Sequence, residues 1–156
     1  MFGSLGVFAG LGLDSGGAEG VPSTIREAIY YLLLDDPEIY AAVDDRIWPG
    51  GLPQDPDYPA LTINLAGRND VRNLRGRGDT SEVRLRVSAW SRLQIEAVNL
   101  ARLIQARLVD FKGDVGDVRI TGCALVNEID LPERPTTGTD QFLYQVVSEF
   151  QVWHRP

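Results

Sequence analysis

The spacing of apolar residues predicts two short helices near the start of the folded part of the chain. In the first, apolar side chains recur at helical intervals after Ser23, a favourable N-cap, with Glu27 in the first turn. These apolar positions are Ile25, Ala28, Ile29, Leu32 and Leu33. A second helix is predicted from the N-cap Asp36 through Pro37, at the first helical position, to about Val43.

Alternation of apolar and polar side chains predicts strands that bury one face. It is clearest from Ser81 to Trp90, where the apolar positions share one face and the charged positions share the other. The predicted buried residues of this strand are Val83, Leu85, Val87 and Ala89. Further strands are predicted at 46–48, 60–66, 118–128 and 141–153, with a loop at 50–59.

One long amphipathic helix is predicted between the strands, from the cap Ser91 to about Phe111, where Gly113 and Gly116 would stop it. Its apolar stripe consists of Leu93, Ala97, Leu100, Ile104, Leu108 and Phe111. These elements predict an α+β fold in which the long helix packs on an antiparallel sheet beside an N-terminal helix pair. We expect one domain over residues 23–156, a size at which a chain can fold without disulfides.

Residues 1–22 form a glycine-rich segment that we interpret as an arm, flexible or ordered by a partner. Glycine loses much entropy on ordering, and this segment offers few side chains to compensate. The apolar residues between the glycines are nevertheless too many for a solvated linker. The arm is therefore predicted to contact a neighbouring subunit through Phe2, Leu5, Phe8, Leu11 and Leu13.

The segment 67–79 is unusually rich in arginine for an acidic chain. It contains Arg68, Arg72, Arg75 and Arg77, together with glycines and asparagines, and is predicted to be a polar loop that does not pack. Three interpretations remain open: a solvated hairpin tip, a docking loop that becomes ordered on an acidic partner, and a phosphate-binding segment. As a docking loop it would contact an acidic surface such as the next copy of the chain.

The composition limits the function classes. A formal net charge of -7 argues against general binding of duplex DNA, which depends on an excess of basic residues, but would suit a channel through which DNA passes. One cysteine cannot form an internal disulfide. The apolar stretch near the N-terminus is too short and too broken by glycine for a membrane span, and it lacks a basic leader.

The residues that usually carry catalysis are scarce. The one histidine, His154, is expected to be a frayed, solvated residue of the tail, and Cys123 a small buried thiol within a strand. The adjacent pairs Asp35/Asp36 and Asp44/Asp45 lie at helix ends, where neighbouring side chains do not converge. We therefore predict no catalytic residues, no metal site and no cofactor.

The order of these segments resembles a known family. The matching elements are Ala41-Ala42-Val43-Asp44-Asp45, Arg46-Ile47-Trp48-Pro49, Pro53-Gln54, Tyr58-Pro59, Val87-Ser88-Ala89-Trp90-Ser91, the helix from Glu96-Ala97 through Leu100-Ala101 to Ala106-Arg107-Leu108, and Phe150-Gln151-Val152-Trp153. In this order they are similar to the tail completion family, also called tail-to-head joining or tail terminator proteins, of long-tailed bacteriophages and related particles. The resemblance covers about Ser23 to Trp153.

The resemblance implies a structural virion protein with a tail-terminator-like fold and no catalytic residues. Members would form a hexameric ring that caps the tail tube and joins the tail to the head-completion, or stopper, protein of the neck. The partners implied are the chain itself, the tail tube protein and that neck protein, with DNA passing through the lumen without sequence-specific binding and with no membrane. The chain would reside in the virion tail or neck, and in the host cytoplasm during assembly.

Two features depart from the family pattern, namely the glycine-rich extension 1–22 and the arginine-rich segment 67–79. Alternatives to the tail terminator role are another ring component of the neck or tail, such as a head-completion protein, and a small non-viral binding or regulatory module. A hydrolase built on scattered carboxylates is a third class, but no motif in the sequence favours it.

Overall fold

A computed structural model of the chain describes residues 22–73, 76–133 and 142–155, with the backbone alone at 70–73, 76–79 and 132–133. Within these residues the elements are α1 (Ile25–Leu34), α2 (Pro37–Val43), β1 (Ile47–Pro49), β2 (Ala60–Asn73), β3 (Gly76–Ser91), α3 (Gln94–Leu108), β4 (Gly113–Val115), β5 (Val118–Glu133) and β6 (Leu143–Arg155). The prediction of an α+β fold is confirmed. Short strand β4 was not predicted.

The strands form one six-stranded sheet in the order β1-β2-β3-β6-β5-β4. Every neighbouring pair from β2 to β4 is antiparallel, as predicted, but β1 pairs with β2 in parallel, with Ile47 opposite Leu61. The prediction of a wholly antiparallel sheet is wrong at this edge. The loop at 50–59 is long enough to bring the chain back to the start of its neighbour, which a tight hairpin turn cannot do.

The core lies between the helices and one face of the sheet. The alternating residues of β3 that were predicted to be buried are all buried, and they belong to one cluster with apolar residues of α1 and α3. From α3 this cluster takes Ala97, Leu100, Ala101, Ile104 and Leu108. Two residues of the predicted stripe are not fully buried. Phe111 is only partly buried. Leu93 is exposed, because the helix begins one residue after it.

The start of α1 differs by one residue from the prediction. The N-cap is Thr24, whose hydroxyl accepts a hydrogen bond from the Glu27 backbone N–H at 3.2 Å, while the Glu27 carboxylate accepts from the Thr24 backbone N–H at 3.1 Å. This reciprocal pair is a capping box. Ser23, predicted as the cap, instead donates to the same carboxylate.

The start of α2 agrees with the prediction. The Asp36 carboxylate accepts from the Glu38 and Ile39 backbone N–H groups at 2.9 and 3.1 Å, and Pro37 occupies the first turn. Proline has no N–H to lose at this position, and its fixed φ suits the helix.

The ends of α3 differ from the prediction. Ser91 does not cap the helix; its hydroxyl donates to the Glu96 carboxylate and accepts from the Leu93 N–H at 3.2 Å. The helix stops at Leu108, because Val109 is extended and the Asp110 N–H donates to the Cys123 carbonyl at 2.9 Å. The chain is therefore already in strand β4 at Gly113, which was predicted to end the helix.

The segment 67–79 is not the unpaired loop that was predicted. Strands β2 and β3 continue as a backbone ladder as far as Asn73 opposite Gly76. Ladder hydrogen bonds join main-chain groups, so two strands can stay paired beyond the point where their side chains reach a core. The polar sequence therefore wrongly indicated a loop where the backbone forms two paired strands.

Candidate functional site

The two outer strands leave most of the sheet's edges uncovered. Strand β4 pairs with β5 only at Val118 to Ile120, and strand β1 pairs with β2 only at Leu61 to Ile63. Beyond these positions β5 continues to Glu133 and β2 to Asn73. Within the described parts of the chain, both strands therefore present a free edge, on opposite sides of the same sheet. Free edges carry unpaired N–H and C=O groups that can pair with another chain.

The free edge of β5 is apolar and acidic. Four large apolar side chains are exposed on it, and no basic residue occurs between them. They are Leu125, Val126, Ile129 and Leu131. The carboxylates of Glu128 and Asp130 lie among them. Four large apolar side chains exposed along one uncovered edge indicate a contact surface.

The free edge of β2 is polar and irregular. Its register shifts between Leu65 and Gly67 and again between Asp70 and Arg72, which makes it a poor template for a flat added strand. Arg68 is exposed on this edge, beside a shallow depression of about 270 Å³. Val83, Arg84 and Gln151 also line it.

The residues predicted as docking arginines fall on this hairpin, but the structure describes the side chain of only one of them. Arg72 and Arg77 are opposite each other in the β2–β3 ladder, which brings two of the four positions together at the backbone. Their side chains, and the whole of Arg75, lie outside the described residues. The predicted arm contacts Phe2, Leu5, Phe8, Leu11 and Leu13 also lie outside them.

The face of the sheet opposite the helices carries a row of polar cross-strand pairs that the sequence analysis did not identify. Trp90 donates to the Thr62 hydroxyl at 3.0 Å, Gln145 to the Ser88 hydroxyl at 3.1 Å, and Trp153 to the Glu82 carboxylate at 3.1 Å. Arg86 pairs with Glu149, a carboxylate that is buried. Alternation had placed polar residues of β3 on this face, but only the register shows which partners they meet.

The N-terminal arm is attached to the domain at the turn between β4 and β5. The Pro22 carbonyl accepts from the Asp117 N–H at 2.9 Å, and Gly116 lies against the proline with φ at +60°. A Cβ atom at Gly116 would come within 2.5 Å of that carbonyl oxygen, so only glycine allows this close approach. The arm therefore leaves the fold beside the strand that has the apolar free edge.

The groups most often used in catalysis are buried or paired. Burial, and next the Asp110 carboxylate, raise the pKa of the Cys123 thiol to about 12, so it stays protonated at neutral pH and is a poor nucleophile. A hydrogen bond from Arg119 lowers the pKa of the exposed Asp114 carboxyl. Among the residues that the structure describes, no three His, Cys, Asp or Glu side chains converge as metal ligands.

His154 corrects a prediction. It is a buried residue of β6, in register with Ser81 on β3 and Ile120 on β5, and not a solvated tail residue. The sheet extends closer to the C-terminus than the apolar alternation indicated.

None of the helices in the described ranges is long and apolar enough to cross a membrane.

Comparisons with known proteins agree with the resemblance noted from the sequence. A chain from the "virion of native gene transfer agent (GTA) particle" superimposes with a TM-score of 0.64, at 16% identity, over 87% of this chain and 98% of that chain. A second solved chain is 13% identical over 83% of this chain and 96% of its own. Its TM-score of 0.47 is too low to establish a shared fold. No curated protein sequence matches.

The family model for "Tail completion protein gp17" matches residues 27–155, which is nearly all of the folded part of the chain. A match of this extent includes all but the first two residues of α1, the whole of α2 and α3, and the six described strands. The chain belongs to the tail completion protein gp17 family.

Proposed function

We propose that this chain is a structural, non-catalytic protein of a phage-like virion that forms a closed ring on the end of the tail tube and joins the tail to the head-completion protein. The family match over residues 27–155 carries this proposal. The likeness to a chain of a gene transfer agent virion supports the same fold and, through its name, the same kind of particle.

The position of the free edges supports the ring. When a surface on one side of the sheet binds a different surface on the next copy, the contact is head-to-tail. Head-to-tail contacts form a closed ring if a whole number of copies completes a full rotation. The free edges of β2 and β5 lie on opposite sides of the sheet. We propose a hexameric ring, as the family resemblance implies.

The partners proposed are the tail tube protein, the head-completion or stopper protein, and other copies of this chain. DNA would pass through the ring without sequence-specific contacts, and a net charge of -7 gives it no general attraction to phosphate. We assign docking to the arginines of the 67–79 segment and contact between subunits to the 1–22 arm.

The ring can be tested on tails purified from the particle that encodes this chain. Quantitative mass spectrometry is expected to find a fixed, small number of copies per tail, matching a hexamer, and antibody labelling to mark only the end that meets the head. The major tube subunit, measured in the same sample, is the control for a protein present in many copies. Label along the tube or at the distal tip would contradict the proposal.

A further inference from the structure

The free edge of β5 is regular over its second half. After a bulge between Leu125 and Asn127, the register with β6 advances residue by residue from Asn127 opposite Glu149 to Glu133 opposite Leu143. No described strand covers the other side of this stretch. A regular, unbulged edge can accept the backbone of one more strand, which is a common way in which extended segments are bound.

The two faces of this edge differ in character. Ile129 and Leu131 lie opposite Val147 and Gln145, on the face away from the helices, and both are exposed, Ile129 by 39%. Glu128 and Asp130 alternate with them and lie on the helix face. A strand that fits here would carry apolar side chains on the face that lies beside Ile129 and Leu131.

The edge is held in place by the long helix. Gln105 of α3 donates to the Glu128 carboxylate at 3.0 Å and to the Ser148 hydroxyl at 3.1 Å, which ties both strands of this ladder to the helix. An edge that is already fixed loses less entropy when a partner strand binds to it.

The N-terminal arm has the pattern that this edge requires. Apolar residues occupy every second position of residues 5–13, namely Leu5, Val7, Ala9, Leu11 and Leu13. Between them are Gly6, Phe8, Gly10 and Gly12. A period of two is that of a strand, and it places the five apolar residues on one face and mostly glycine on the other.

The attachment of the arm favours an adjacent copy as the acceptor. Leu13 precedes Pro22 by nine residues, and an extended chain of that length spans at most about 32 Å. Strand β5 takes roughly 27 Å from the turn at Asp117 to Asn127, because the register shifts at Ile120/Gly122 and Leu125/Asn127 shorten this stretch. Strand β4 and the segment that leads into it lie beside this part of β5. Pairing within one copy would therefore need an almost fully extended arm that also passes around them, whereas the edge of an adjacent copy sets no such requirement.

We infer that residues 5–13 of one copy bind as an added strand along residues 127–133 of β5 in the next copy. The apolar side of the arm then lies beside Ile129 and Leu131, and its glycine side lies beside Glu128 and Asp130. This inference rests on the proposed ring and specifies how its subunits hold each other. The segment that pairs with the free edge of β5 is therefore the arm of a second copy, and not the bulged edge of β2.

Disulfide trapping tests the contact directly. All chains are full length and carry Cys123→Ser, so that introduced cysteines are the only thiols. One chain carries Ile129→Cys, and its partner carries Val7→Cys, Ala9→Cys or Leu11→Cys, a set that brackets the register. On mixing and mild oxidation, at least one pair is expected to give a covalent dimer. The matched control replaces Ile129→Cys with Ile95→Cys, at a 65% exposed position on α3, and should give none.

A further chain carries Ile129→Cys and one of the arm cysteines together. Two results would overturn the inference: no more dimer than the Ile95→Cys control gives, and a link that forms only within the chain that carries both cysteines. The last result would place the arm on its own domain.

A second variant measures the consequence for assembly. Ile129→Lys should leave the folded chain intact, because the side chain is already partly exposed, and should reduce the fraction of assembled ring at least roughly tenfold by placing a charge in the apolar contact. Ile95→Lys is the matched control and should assemble normally. Normal assembly of Ile129→Lys would contradict the inference while leaving the ring proposal intact. Cross-linked chains that never form rings would contradict the proposed ring, but not the binding of the arm to β5.

Discussion

Replacing Phe150 with alanine is expected to lower the free energy of unfolding by about 3–5 kcal/mol, the usual loss for a buried phenylalanine. Phe150 is fully buried in β6 and lies in register between Leu85 of β3 and Leu125 of β5. Removing its ring leaves a cavity at the middle of the sheet, where the flanking strands cannot close over it. Since a domain of this kind has a total stability of roughly 5–15 kcal/mol, the substitution would remove a large share of that stability.

Denaturant unfolding followed by circular dichroism measures this loss, and the chain provides a control of the same residue type. Phe142 precedes β6 and is 46% exposed, so Phe142→Ala should change the free energy of unfolding by no more than about 0.5 kcal/mol. Equal losses from the two substitutions would show that the core is not centred where the structure places it.

Reversing the charge of the four arginines in the 67–79 segment is expected to abolish the joining of tails to heads while the protein still folds. Arg68 is exposed, so its substitution removes no buried side chain. Arginine binds carboxylates through a planar pair of donors, and glutamate at the same positions would repel an acidic partner.

The measurement is the number of joined particles seen by electron microscopy when the variant gene replaces the natural one. The variant carries Arg68→Glu, Arg72→Glu, Arg75→Glu and Arg77→Glu. A control with the same change in net charge reverses four exposed arginines elsewhere, at Arg26, Arg92, Arg102 and Arg155. Joined, infectious particles carrying the first set of reversals would reject the docking role.

The sequence predicted the elements whose local signals are strong. Helix α2 has a cap and a first-turn proline, and β3 has four alternating apolar residues, so both agree with the structure to within a few residues. Single residues at element ends were less certain. Ser23 and Thr24 are both favourable N-cap residue types, and only the backbone geometry shows that Thr24 is the cap.

The features that were missed depend on contacts between distant parts of the chain. The parallel pairing of β1 arises from the path of the 50–59 loop, and the burial of His154 arises from the two strands that flank β6. The extension of β2 and β3 through the arginine-rich segment has no alternating apolar residues to predict it, and only the backbone pairing shows it.

The candidate site was predicted only in part for the same reason. Composition identified the arm and the arginine-rich segment as unusual. It could not identify the free edge of β5, because a strand becomes an edge only through the order of strands in the sheet. Ile129 and Leu131 have the same alternation as a buried strand, so the sequence alone gives no sign that they are exposed.

Electron microscopy of lysates from a phage or prophage that lacks only this gene tests the central claim most directly. The proposed role predicts DNA-filled heads lying beside unattached tails, with tube lengths that vary because the ring that ends tail growth is missing. A plasmid copy of the gene should restore joined particles. Intact, joined and infectious particles in the absence of the gene would contradict the account.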